Sequence, residues 1–149
     1  MRANSVLTPS LFSLVLLFSA SDVESKAQDR KFEAELIWGT DQAKPDAPDL
    51  KPVDPELVER LQKIFKWKHY YQVRKKDFIV AAKPKPGTLV VLSDKCEIEV
   101  TDKGMPMTEV KLFGEKKLVK TIKQAITQCL VIAGDDRNDT AWFVVLTPK

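Results

Sequence analysis

Val53-Asp54-Pro55-Glu56-Leu57-Val58-Glu59-Arg60-Leu61-Gln62-Lys63-Ile64-Phe65-Lys66 decides the fold, because it carries the clear helical spacing of this chain. Asp54 can accept from the free backbone N–H groups of a first turn. Pro55 suits the first helical position, where no N–H is needed. Glu56 favours the positive helix end, and Val53 with Val58 can form a hydrophobic staple. Leu57, Val58, Leu61, Ile64 and Phe65 mark one face, and Glu59, Arg60, Gln62 and Lys63 the other. The spacing predicts a helix over residues 55–66.

On either side the period changes to two. Before the helix, Phe32, Ala34, Leu36 and Trp38 alternate with Lys31, Glu33, Glu35 and Ile37 as a strand that ends at Gly39. Residues 40–52 form a loop stiffened by Pro45, Pro48 and Pro52. After the helix come strand patterns over 70–81, 88–92, 95–101, 108–113, 117–123, 129–133 and 140–146. The second and third read as one strand bent at Ser93-Asp94. Gly114-Glu115 suits a tight hairpin with Gly first. The unbroken apolar run 129–133 predicts a central strand. Short turns imply antiparallel neighbours. The expected fold is α+β: a single small domain with an N-terminal strand, one amphipathic helix and a curved antiparallel sheet of five or six strands, as a half-open barrel gripping the helix.

The first residues read differently. Met1 and Arg2 give a positive start, residues 11–18 an uncharged apolar run, and Ser19, Ala20, Ser21, Ser25 and Ala27 a small-residue end. This is the order of a secretory signal peptide over 1–27, with cleavage after Ala27 or, alternatively, after Ser21. Pro9, Ser10 and Ser13 leave the apolar run too short for a spanning helix, which needs about 20 residues. The expectation is a secreted or periplasmic domain, 28–149, with no membrane span after cleavage.

Charge is unevenly spread. Residues 28–59 carry nine acids and four bases, 60–85 nine bases and one acid, and 86–149 nine of each. A basic block thus lies between an acidic lead and a balanced tail. Cys96 and Cys129 permit one disulfide in an exported chain. Two buried thiols packed as small hydrophobes is the alternative reading.

The catalytic inventory is thin. Residues 28–149 hold one histidine, His69, and one serine, Ser93, and Ser93 lacks the glycine-flanked elbow of a hydrolase nucleophile. Cys96 or Cys129 with His69 has no local signature. No zinc spacing exists, and Asp135-Asp136-Arg137-Asn138-Asp139 lacks the spaced ligands of a calcium loop. Asn138-Asp139-Thr140 fits the N-glycosylation spacing. Glu97 and Glu99 share a strand face, as do Glu33 and Glu35, which reads as a solvated face rather than an acid–base pair. With no glycine-rich phosphate loop either, no cofactor is expected.

The functional promise lies in residues 63–76, where bases interleave with aromatics. Lys66, Trp67, Lys68, His69, Arg74 and Lys75 are the candidate partner-binding residues, with Trp67 as apolar anchor and the cations as steering charges. A solvated rim over core aromatics is the competing reading. Export disfavours nucleic acid and favours a protein or an anionic envelope polymer. The leading expectation is an exported, non-enzymatic accessory module. The alternative is a small-ligand carrier with an apolar cavity between helix and sheet, and a hydrolase is the third.

Overall fold

The computed structural model describes residues 27–43, 47, 49–136 and 139–149. Nearly all of the expected leader, part of the Pro-rich loop and the hairpin tip at 137–138 lie outside these residues. The elements are β1 (Arg30–Thr40), β2 (Lys51–Pro52), α1 (Pro55–Ile64), β3 (His69–Val80), β4 (Thr88–Ser93), β5 (Cys96–Asp102), β6 (Met107–Gly114), β7 (Lys117–Ala125), β8 (Leu130–Asp136) and β9 (Thr140–Pro148).

Two antiparallel sheets result. The five-stranded sheet runs β2-β3-β1-β9-β8 and the four-stranded sheet β4-β5-β6-β7. They do not close into a barrel. At one corner β3 runs beside β4, where the Thr88 hydroxyl donates to the Ile79 carbonyl at 2.8 Å. On the opposite side β7 and β8 stand apart.

Strand alternation sorts the core into two layers. Phe32, Ala34 and Leu36 of β1 and Val144 and Leu146 of β9 meet Val90, Leu92, Ile98, Val100, Val110 and Leu112 from the four-stranded sheet. The odd-numbered residues of the same strands, Ile37, Ala141, Phe143 and Val145, point to the other face and meet Val53 and Leu61. Each fully buried Leu, Ile or Phe contributes about 1.5–3 kcal/mol by leaving water. The helix therefore lies on the outer face of the five-stranded sheet. It is not gripped by the curved sheet, because the inner face is already filled by the second sheet.

The helix begins as its cap predicts: Asp54 Oδ1 accepts the Glu56 N–H at 2.9 Å, with Pro55 next. It stops at Ile64, since Phe65 takes an extended conformation to turn its ring onto Phe143, 4.7 Å away between centroids.

Three local expectations need correction. Residues 88–102 are two antiparallel strands, not one bent strand, because a turn at Asp94-Lys95 lets Val90 and Ile98 share the core. The 129–133 run falls in an edge strand, β8. It is apolar because both faces are covered, with Leu130 and Ile132 in the inter-sheet core and Val131 against the helix-side core. The β6–β7 turn places Glu115 and Lys116, not Gly114, at its centre, with φ of 49° and 66°.

Candidate functional site

The candidate basic–aromatic stretch does not fold into one surface. Trp67 is only 7% exposed and packs in the helix-side core, so it offers no exposed anchor. Lys66 is exposed, its ammonium 4.8 Å from the centre of the Trp67 ring. The Lys68 side chain is exposed, while its N–H donates to Asp41 Oδ1 at 3.1 Å. His69 stacks beside Tyr71 at 6.4 Å. Arg74 lies opposite Leu36 and Lys75 opposite Glu35, so the two cations leave β3 on opposite faces. Lys75 is held by Glu33 at 3.4 Å and Glu35 at 4.0 Å.

The two cysteines also separate. Both are free, Cys96 against the inter-sheet core and Cys129 against the helix-side core. Burial first, then Glu97, pushes the Cys96 thiol up to about 11, so it stays protonated at neutral pH and is a poor nucleophile. Ser93 Oγ accepts the Lys95 N–H at 3.2 Å, a turn-forming role. Among the described residues no group of three His, Cys, Asp or Glu side chains is placed to hold a metal ion. Nor is any described helix long and apolar enough to cross a membrane.

A cleft emerges elsewhere, between the sheets. At one end of the inter-sheet layer Arg30 donates to Thr108 Oγ1 at 2.6 Å and to the Ile126 carbonyl at 3.3 Å. The other end holds a half-open cleft of about 580 Å³. Its floor is formed by Trp38 of β1 and Trp142 of β9, paired in register, and outside the cleft the same row continues to Tyr71 of β3 and Gly134 of β8. Tyr71 and Trp38 lie 6.4 Å apart, and the Tyr71 hydroxyl donates to the Ala43 carbonyl at 2.7 Å. Leu112, Phe113 and Val119 supply the opposite wall.

Two bulges shape the opening. Ile37 pairs with Gln72 and Leu36 with Arg74, leaving Val73 as the extra residue of β3. Leu112 pairs with Lys120 and Phe113 with Leu118, leaving Val119 as the extra residue of β7. Both valines line the cleft, and bulges commonly re-aim side chains in this way. Ser93, Lys95 and Glu115 provide the polar rim. Among the described residues no carboxylate lies within ion-pair distance of the Lys95 ammonium.

The paired carboxylates Glu97 and Glu99 are both ion-paired. Glu97 contacts Lys116, and Glu99 lies 3.6 Å from Lys111. The two strand faces expected to be solvated instead each bury one carboxylate, Glu97 and Glu35, and Glu109 is buried as well. Glu35 is 3% exposed, with Oε1 unpartnered. Desolvation raises its pKa against the opposing pull of Lys75. Burial also pushes Glu109 upward, but Lys123, Lys103 and Lys111 outweigh it and hold its pKa below the ordinary value.

Comparison with protein-family models, curated proteins and solved structures finds no match to this chain.

Proposed function

We propose that the protein is an exported, non-enzymatic binding module that carries a lipid-like, predominantly apolar small molecule in the inter-sheet cleft. The observation that carries this reading is the aromatic floor of Trp38 and Trp142 beneath an opening of about 580 Å³. Pockets for small ligands occupy roughly 300–1,000 Å³ and are mostly apolar with a few polar groups at fixed places. In this reading the two sheets act as a half-open barrel whose mouth is the cleft. The carrier site therefore lies between the sheets, while the helix–sheet interface is filled by Leu61, Trp67 and Phe143.

Native mass spectrometry of the protein isolated without denaturation tests the reading. The expected result is a bound small molecule, lost in Trp38→Ala while the melting transition stays cooperative. A wild-type protein of bare mass that also takes up no added fatty acid contradicts it.

A second reading, contact with a macromolecule near the helix end, draws support from Ile64. This apolar residue is 69% exposed, close in the chain to the exposed Lys66 and Lys68.

A further inference from the structure

The free edge of the four-stranded sheet has the marks of a docking edge. β7 spans nine residues, pairs with β6, and meets no strand on its other side among the described residues. All its residues except Ile122 are exposed. Leu118 and Val119, adjacent on this edge, are 56% and 60% exposed. An open edge of this kind presents unpaired backbone donors and acceptors, a template for another strand.

Charge narrows the occupant. Residues 116–125 read Lys-Lys-Leu-Val-Lys-Thr-Ile-Lys-Gln-Ala, with four lysines and no acid. Lys116 and Lys123 are engaged by Glu97 and Glu109. Lys117 and Lys120 have no carboxylate within ion-pair distance among the described residues. A second copy adding edge to edge would set lysines against lysines, which is destabilising across a strand pair. A polyanion without a peptide backbone would meet the charges but leave the edge and Leu118 unused.

We propose that β7 docks an extended, acidic segment of a partner protein, which adds as a fifth strand to the four-stranded sheet. The lysines that keep neutral or basic strands away then become the specificity element, since only an acidic strand meets them favourably.

The test uses the full chain with amide-resolved NMR and two synthetic peptides of about ten residues, the length of an ordinary strand. One alternates Glu with Val, and the other alternates Lys with Val. The proposal expects protection of alternate β7 amides by the acidic peptide only. It also expects binding to weaken at least ten-fold in Lys117→Glu/Lys120→Glu, and to weaken with added salt. Both substitutions lie at exposed positions, and unchanged amide spectra elsewhere certify the fold. Equal binding of the lysine peptide overturns the proposal. So does acidic-peptide binding that leaves the β7 amides unprotected, as does concentration-dependent self-association that protects β7 in the peptide-free protein.

Discussion

Trp67 lies over Gly39 on the helix side of the five-stranded sheet, and Trp142 lies over Gly134 on the side facing the second sheet. The two contacts are built alike. A Cβ at Gly39 would come within 3.0 Å of Trp67 Cδ1 and 2.8 Å of Phe143 Cε2, and a Cβ at Gly134 would overlap the Trp142 ring. Their surroundings differ. Above Trp67 the helix adds Leu57, Val58, Leu61 and Phe65 and seals the layer. Above Trp142 the layer is left open at the cleft, which Val119, the extra residue of the β7 bulge, helps to line. The same packing device is sealed under the helix and left open at the cleft.

The largest effect is expected at the sealed face. Trp67→Ala should cost about 3–5 kcal/mol of unfolding free energy, the range for truncating a buried aromatic. Denaturant unfolding measures it, and a cost below that of a surface substitution would refute the sealed layer. Gly134→Ala should cost less, about 1–3 kcal/mol, because the crowded Trp142 ring can shift toward the open cleft. Its Trp fluorescence should change, whereas Gly39→Ala should prove the more destabilising of the two.

The buried carboxylates of the two outer faces respond to pH in opposite directions. Glu35 has a raised folded pKa, so protons bind more tightly in the folded state. Its unfavourable contribution is absent below the ordinary 4.5 and grows as pH rises through the folded value. Glu35→Gln should therefore stabilise the protein near neutrality, because it removes the desolvated charge while keeping the side chain's shape. Glu109 has a lowered folded pKa, so its stabilisation is present above 4.5 and is lost as pH falls through the folded value. Glu109→Gln should destabilise near neutrality, and thermal melts from pH 4 to 8 should show the two variants diverging in opposite directions. The smallest effect is expected at the turn. Glu115→Asn should stabilise by about 0.5 kcal/mol, because Asn tolerates positive φ better. Chemical melts that place it below wild type would contradict the turn geometry.

Much of the fold was legible from local chemistry. The Asp54-Pro55-Glu56 cap marks the helix start, and alternation marks nearly every strand. What alternation does not contain is which face a strand turns to which layer. Ile37 reads as part of a polar face with Glu33 and Glu35, yet lies in the helix-side core. β8 reads as central because both its faces are covered, yet stands at an edge. The site was less legible. Trp67, interleaved with lysines, reads as exposed, but Gly39 and Phe143 draw its ring inward. Trp38 and Trp142 are far apart in the chain and meet only through the β1–β9 register. The bulges at Val73 and Val119 carry no glycine to announce them.

The most direct test of the cleft uses fluorescence quenching by a nitroxide-labelled fatty acid, since the chain holds three tryptophans. Trp67→Phe leaves Trp38 and Trp142 as reporters, and Trp38→Phe/Trp142→Phe leaves only Trp67. Saturable quenching is expected of the first variant and none of the second. Quenching of Trp67 alone, or no saturable quenching of the cleft tryptophans, would contradict binding in the cleft.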